Sequence, residues 1–261
     1  TFKNIDQQFY YRFVDWMLDE RMYKSSNINK HIANLKCVLT QALEEGVTEN
    51  RSHQHKKFKT IEEKETFEIA LSDKEIDEIF NLDLSDSERL ERVKDCFILS
   101  CCTALRYSDF SKLKRKSILW KGEKRYLQIR TQKTGKPVTL PVIDQRLRYV
   151  LDKYEGTETG FPKPYSNQEM NRQLKVLGQR CSMLQKVERF EEQEGRNMIQ
   201  VEKTRWELMK THTGRRSFAT NMYNKGVPPQ YIMLLTAHTT EKSFFRYVRI
   251  TPTDFTEAFE K

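Results

Sequence analysis

The sequence predicts a mainly α-helical protein of the α+β class, with a small helical domain followed by a larger mixed domain. Apolar residues recur at helical spacing along most of the 261 residues. Two short stretches alternate in the manner of paired strands. Residues 49–65 are polar and show no periodicity. We therefore assign residues 1–64, which include this linker, to the first domain and residues 66–261 to the second.

Two helices account for most of the first domain. Phe9, Phe13, Trp16 and Met17 recur three or four residues apart, which predicts an amphipathic helix. A second helix follows Ser25-Ser26 and is expected to stop at Gly46. The apolar stripe of this second helix consists of Ile28, Ile32, Leu35, Val38, Leu39 and Leu43.

The larger domain begins with two predicted helices. Ser72 and Glu75 have the spacing of a capping box and predict a helix that runs through Phe80. A longer helix is expected from about Ser87 to Thr103. Most of the remaining chain is predicted to be helical, around residues Asn167–Leu184, Thr213–Lys225, Pro229–Leu235 and Thr240–Val248.

A β-hairpin is predicted between these helical parts. Tyr126–Arg130 alternates, Thr134–Lys136 is a turn, and Val138–Pro141 returns, which places Lys133 at the tip. A second hairpin is predicted around Gly195, between Val187–Glu191 and Met198–Val201.

Composition limits the classes of function. The formal charge of +9 suits a polyanionic partner, although alone it does not separate nucleic-acid binding from a merely basic surface. No apolar run approaches the roughly 20 residues that span a bilayer. Five cysteines without CxxC spacing predict free thiols in a reducing cytosol. His53 and His55 stand in the polar linker, where solvation is a better explanation than metal binding. The first residue is Thr rather than Met, so we expect further sequence upstream.

Three segments carry residues suited to phosphate chemistry. The first is Thr103–Phe110, which contains Ala104-Leu105-Arg106. The second is His212–Thr220, which begins with His212-Thr213-Gly214-Arg215, and the third is Leu235–Tyr247, which contains Ala237-His238. His212 and Arg215 are three apart at a helix start, so they share a face near a terminus that favours anions. Each segment alone also has an ordinary explanation, such as an exposed Arg, a capped helix or a core Tyr.

Together and in this order, the segments resemble the active site of the tyrosine recombinase (phage integrase) family. That family has an Arg after a T-G-L-R type turn, a Lys on a β-hairpin, His-x-x-Arg, a second His or Trp, and a Tyr nine residues later. The closest similarity is to integrases of conjugative and mobilizable transposons. Ala104 and Ala237 replace the usual Gly, which matters only where φ must be positive. The matching positions here are Arg106, Lys133, His212, Arg215, His238 and Tyr247.

The resemblance implies a site-specific DNA recombinase that cleaves and rejoins strands through a 3′-phosphotyrosyl intermediate, with neither metal nor cofactor. Arg106 and Arg215 would clamp the phosphate with forked hydrogen bonds. The phenol of Tyr247 would attack after His212 accepts its proton, and His238 would orient the phosphate. Lys133 would protonate the leaving 5′-hydroxyl.

The same resemblance implies partners and assembly. The helical domain would be a core-binding domain, and the enzyme would form a homo-tetramer on double-stranded attachment sites. The tail, with Phe255, Ala258 and Phe259 on one apolar face, would dock on a neighbouring protomer. Accessory DNA-bending proteins and a bacterial, nucleoid-associated location would follow. The side chains expected to contact DNA are Lys30, Lys36, Lys56, Lys57, Lys59 and Arg216.

Two other classes of function remain open at this point. A type IB topoisomerase would share the chemistry but would relax DNA without a specific sequence or a partner site. A DNA-binding regulator without enzymatic activity would explain the basic charge, although the ordered set of six residues would then be coincidental.

Overall fold

The computed structural model describes residues 1–132, 135 and 137–248, which divide into two compact units. The first unit consists of Thr1–Phe67 together with Arg189–Glu202. The second unit consists of Glu68–Glu188 and the described residues from Lys203 onward. Both units are mainly helical with small antiparallel sheets, which confirms the predicted fold class.

Helices make up most of the described chain. Over those residues the helices are α1 (Gln7–Asp19), α2 (Ser25–Glu44), α3 (Asp73–Asn81), α4 (Glu88–Thr103), α5 (Tyr107–Phe110), α6 (Gln145–Tyr154), α7 (Asn167–Gln179), α8 (Arg205–Leu208), α9 (Thr211–Asn224), α10 (Pro229–Thr236) and α11 (Glu241–Phe245). The strands are β1 (Ile118–Lys121), β2 (Lys124–Arg130), β3 (Pro137–Pro141), β4 (Val187–Glu194) and β5 (Asn197–Thr204).

The first unit is built around α1 and α2, both of which were predicted. Asp6 caps α1 by accepting the backbone N–H of Phe9 at 2.7 Å. The apolar faces of the two helices form a core with the residues that follow them. The buried members of this core are Tyr10, Val14, Met17, Leu18, Ile28, Ile32, Leu39 and Phe58.

The aperiodic stretch after α2 packs on these helices. Phe58, between the lysines of the linker, is only 1% exposed. The Tyr10 hydroxyl donates to Lys59 O at 2.6 Å, and Lys36 Nζ donates to Phe58 O at 3.1 Å. The expectation that His53 is solvated was wrong, because His53 is buried and its Nε2 lies 3.2 Å from Thr40 Oγ1. The Phe58 side chain and these hydrogen bonds anchor the stretch, and such contacts leave no periodicity in the sequence.

The second predicted hairpin is confirmed as β4 and β5, and its distal part belongs to the first unit. Gly195 at its turn has φ +59°, and a Cβ there would collide with Leu18 O. Lys24 pairs with Glu192, and Arg196 pairs with Asp19 at 2.6 Å. Residues 189–202 therefore pack with the helical unit, although they lie within the sequence of the larger domain.

The second unit is organised around α4. A run of its side chains from Val93 to Cys101 is buried, so this helix is covered on all sides by α6, α7 and α9. The predicted capping box is present at α3, where Ser72 and Glu75 exchange hydrogen bonds. Helix α9 is buried from Thr213 to Thr220 and packs along α4.

The three-stranded sheet contains the first predicted hairpin and one further strand. β2 pairs antiparallel with β3, with Leu127 opposite Leu140. β1 pairs with the other edge of β2 across a tight turn at Gly122, whose φ is +58°. β1 was not predicted because it has only four residues, although Gly122 is a turn signal.

Helices α6, α7 and α11 differ from the prediction. α6 was missed, although Leu147, Val150 and Leu151 have helical spacing and Asp144 caps the helix. α7 ends at Gln179 rather than Leu184. α11 ends at Phe245 rather than Val248, so Tyr247 lies in the turn that follows the helix.

Candidate active site

Arg106 is placed by a sharp corner at the end of α4. Ala104 has φ +56°, and its N–H donates to Ser100 O at 2.9 Å. The chain then turns through Leu105, and Arg106 becomes the N-cap residue of α5. The Arg106 side chain is half-buried, and its Nη1 is a buried donor with no partner among the described residues.

Arg215 reaches the same corner from α9. Gly214 allows the two helices to approach closely, since a Cβ there would lie 2.8 Å from Ser100 Oγ. Arg215 is 2% exposed, and its Nη1 donates to Ala104 O at 2.6 Å while its Nη2 donates to Thr236 O. Its guanidinium therefore joins the carboxyl ends of two helices, where backbone carbonyls favour a cation.

His238 follows a second corner with the same backbone conformation. Ala237 has φ +51° and ends α10 in a Schellman motif, with its N–H on Leu234 O at 3.3 Å and the His238 N–H on Met233 O at 3.0 Å. Arg215 Nη2 lies 3.5 Å from His238 Nε2. The corner thus directs His238 toward the buried guanidinium.

Tyr247 completes the cluster. Its backbone N–H donates to Phe244 O at 2.7 Å in the turn after α11. The centroid of its ring lies 4.7 Å from that of His238. The guanidiniums of Arg215 and Arg216 lie 5.5 and 5.4 Å from the same ring, within the range of cation–π attraction.

The electrostatics of this cluster are those of an anion site. Burial, and then the charge of Arg106, lower the pKa of Arg215 to about 10, so it stays cationic at neutral pH. Desolvation lowers the pKa of His212 below its ordinary value even though the residue is exposed on the surface of α9, and Arg215, Arg216 and Arg106 lower it further. His212 is therefore neutral at pH 7 and able to accept a proton.

Buried donors without hydrogen-bond partners also indicate an anion site. Arg215 Nε, like Arg106 Nη1, is buried without a hydrogen-bond partner in the part of the chain that the structure describes. A buried donor without a partner is costly, and on a guanidinium it suits a phosphate oxygen. The arrangement can therefore bind a phosphodiester between two arginines, beside a phenol and a neutral imidazole.

Asp109 is a member of the site that the sequence analysis missed. It is 3% exposed, and its Oδ1 accepts the backbone N–H of Gln132 at 2.9 Å. Its negative charge acts on Arg215 and partly offsets the repulsion from Arg106. Asp109 thus binds the backbone of Gln132, which directly precedes Lys133 in the sequence, while its charge acts on Arg215. An acid three residues after Arg106 was a signal that could have indicated it.

The structure brings five of the six expected catalytic residues together: Arg106, His212, Arg215, His238 and Tyr247. Lys133 lies outside the described residues. Arg216, which was expected to contact DNA, is only 8% exposed. Its guanidinium lies over the Tyr247 ring and forms an ion pair with Glu68 at 3.2 Å.

The expected DNA-binding lysines belong to the first unit. Lys30, Lys56, Lys57 and Lys59 are exposed, whereas Lys36 is half-buried against the Phe58 carbonyl. All five cysteines are free, as predicted. The described residues contain no group of three metal-ligating side chains, and no described helix is long and apolar enough to cross a membrane.

Comparisons with known proteins give one consistent result. A family model described as "Phage integrase family" matches residues 70–253, and one described as "Phage integrase SAM-like domain" matches residues 1–60. No curated protein sequence matches the chain.

Three solved structures share the fold at low sequence identity. A lambda integrase dimer bound to a core site matches with a TM-score of 0.67 and 17% identity, over 94% of this chain and 80% of its own. The XerH site-specific recombinase, in a post-cleavage complex, matches with a TM-score of 0.68 and 13% identity. This match covers 100% of this chain and 72% of the XerH chain. The Tn1549 transposon integrase, bound to circular intermediate DNA, matches with a TM-score of 0.64 and 11% identity. This match covers 100% of this chain and 86% of the Tn1549 integrase chain.

The family models cover most of the chain, and the structural matches agree with them in fold. Neither kind of match favours a topoisomerase or a regulator without enzymatic activity. The chain belongs to the phage integrase family of tyrosine recombinases.

Proposed function

We propose that this protein is a site-specific recombinase that integrates or excises a mobile element by cleaving and rejoining DNA strands through Tyr247. The observation that carries the proposal is the position of Tyr247, beside His238 and against the guanidiniums of Arg215 and Arg216. The DNA-bound integrases and recombinase among the structural matches support it.

The geometry supports a separate chemical role for each residue of the site. Arg106 and Arg215 bind the non-bridging oxygens of the scissile phosphate and stabilise the charge that grows in the transition state. His212, neutral at pH 7, accepts the phenolic proton of Tyr247. The Tyr247 oxygen forms a bond to phosphorus, and the 5′-oxygen leaves with a proton for which Lys133 is the proposed donor. The resulting phosphotyrosyl ester lets another 5′-hydroxyl reverse the step without ATP.

Replacement of the nucleophile tests this proposal. Tyr247→Phe removes one hydroxyl and should abolish the covalent adduct with a nicked attachment-site duplex, while DNA binding remains. The adduct is measured on a denaturing gel, and binding on a native gel. Tyr231→Phe is the matched control, because Tyr231 is 62% exposed and should be dispensable. A denaturant-resistant adduct formed by Tyr247→Phe would show that another residue, such as Tyr223, is the nucleophile.

We further propose that the chain assembles as a homo-tetramer on two attachment-site duplexes, as a lambda integrase tetramer bound to a Holliday junction supports. Residues 1–64 serve as the core-binding domain and residues 66–261 as the catalytic domain. Accessory DNA-bending proteins assist at the attachment sites, in the bacterial nucleoid. The tail of one protomer docks on its neighbour; Phe255, Ala258 and Phe259, which suggest this, lie outside the described residues.

Truncation tests the role of the tail. Removal of the residues after Ile250 should leave binding to a single site intact, because the residues proposed to bind phosphate are retained. It should weaken complexes that hold two duplexes, as measured on native gels with paired-site DNA. A truncated protein that assembles as well as the full chain would contradict exchange of the tail between protomers.

A further inference from the structure

Thr236, the last residue of α10, contacts two side chains of the site at once. It is fully buried, with 0% exposure. Its backbone carbonyl accepts from Arg215 Nη2, and its hydroxyl oxygen lies 2.7 Å from His238 Nδ1. Thr236 is not one of the six residues assigned from the sequence, but it contacts two of them, Arg215 and His238.

The other contact of the Thr236 hydroxyl indicates which atom donates in its hydrogen bond with His238. A hydroxyl has a single proton to donate. The Oγ1 atom lies 2.7 Å from Ile232 O, a carbonyl that can only accept, so the proton points there. The same oxygen must then accept at its contact with His238, and Nδ1 therefore carries a hydrogen.

Arg215 supports the same tautomer from the other side of the ring. In a neutral imidazole only one nitrogen carries hydrogen, so Nε2 has the lone pair when Nδ1 is protonated. Arg215 Nη2, which can only donate, faces Nε2 at 3.5 Å. Two contacts with different elements thus agree on one orientation and one protonation pattern of the ring.

We propose that Thr236 is a positioning residue for the reaction described above, whose hydroxyl holds His238 as the Nδ1–H tautomer and presents Nε2 to Arg215 and the bound phosphate. This inference rests on the proposed function for its catalytic consequence, but the tautomer itself is a property of the free protein. The carbonyl of Thr236 holds Arg215 regardless of its side chain.

Two substitutions separate the hydroxyl from the rest of the residue. Thr236→Val keeps the shape and the backbone carbonyl but removes the acceptor for Nδ1–H. Thr236→Ser keeps the acceptor and removes only a methyl group. A role in packing alone predicts that Ser, which leaves a small cavity, is at least as harmful as Val, which fills the same space. The proposed role predicts the opposite order.

The first measurement uses the protein without DNA. Long-range ¹H–¹⁵N correlation spectra of labelled imidazoles, assigned by comparison with His238→Gln, distinguish Nδ1–H from Nε2–H under mildly alkaline conditions. We expect Nδ1–H in the unaltered protein and in Thr236→Ser, and a mixture or Nε2–H in Thr236→Val. An Nε2–H tautomer in the unaltered protein overturns the proposal, whether or not either variant folds.

The second measurement is the rate of adduct formation with a nicked attachment-site duplex in a single turnover. Thr236→Val should be slower by about fivefold or more, the effect of losing one orienting hydrogen bond, and Thr236→Ser should stay within about twofold. Equal rates for Thr236→Val and the unaltered protein would overturn the proposal. Absence of any adduct in the unaltered protein would refute the proposed function, while the spectra would still decide the tautomer.

Discussion

His212 differs from an ordinary surface histidine because of its neighbours. Desolvation, and then the charges of Arg215, Arg216 and Arg106, lower its pKa below 6.5, and Glu68 opposes this only weakly. The charges of these three arginines, two of which are proposed to bind the phosphate, thus also keep the adjacent imidazole free of a proton. The residues proposed to bind the substrate would therefore also prepare the proposed base.

We expect the NMR titration midpoint of His212 in the DNA-free protein to lie below 6.5. Arg106→Gln removes one of the repelling charges and should raise that midpoint. A group with a lowered pKa binds fewer protons when folded, so the folded state should lose stability as the pH falls below about 6.5. A midpoint above 6.5 in the unaltered protein would contradict both the electrostatics and the proposed role as a base.

At the scale of elements, two helices end in the same way next to the site. Ala104 ends α4 and Ala237 ends α10, both with left-handed backbone angles. An L-residue in this conformation costs about 1–2 kcal/mol, which glycine avoids. The alanines are retained inside the core, where both are almost fully buried, so packing of the methyl groups offsets part of this strain.

We expect Ala237→Gly to change the free energy of unfolding by less than about 1 kcal/mol, because relief of strain and loss of packing oppose one another. Ala237→Val should be destabilising by about 2 kcal/mol or more, since a β-branched residue with positive φ is an outlier. Calorimetric melting measures both effects, and Ala33→Val, at an exposed helical position, is the matched control. If Ala237→Val is no more destabilising than Ala33→Val, the corner is not strained.

At the scale of the whole molecule, positive charge is distributed between a buried cluster and an exposed one. The arginines around Tyr247 are buried in the second unit, whereas Lys56, Lys57 and Lys59 are exposed in the first. Buried guanidiniums suit one phosphate at a fixed position, and mobile surface lysines suit the phosphates of any duplex. We therefore expect the buried charge to act in the chemistry and the exposed charge to contribute affinity for DNA.

Replacement of Lys56, Lys57 and Lys59 by Ala should weaken binding to duplex DNA of any sequence. The slope of log affinity against log salt should decrease by about 0.9 for each phosphate that is no longer neutralised. The matched control replaces the same three residues by Arg, which retains the charge and should retain the slope. If the Ala variant binds with an unchanged salt slope, these lysines do not bind the DNA backbone.

The sequence by itself determined the features that depend on residues close together in the chain. Apolar spacing predicted α1, α2 and α4, and turn residues predicted both hairpins, because short-range periodicity reflects which face is buried. The order of the motif residues and the nine-residue spacing to Tyr247 indicated the family, and the family models agree. Ala104 and Ala237 were recognised as replacements for Gly, but sequence could not say whether their φ was positive.

Tertiary structure alone decided what depends on distant packing. Arg215 meets Ala104, which lies far away in sequence, because Gly214 lets α9 approach α4 closely. The same packing buries Arg216 beside Tyr247, and packing within the first unit buries Phe58 in a polar stretch. Arrangements of this kind depend on how whole helices fit together, and no local pattern encodes that fit. Sequence therefore indicated five residues that the structure brings together, and packing determined how they are held.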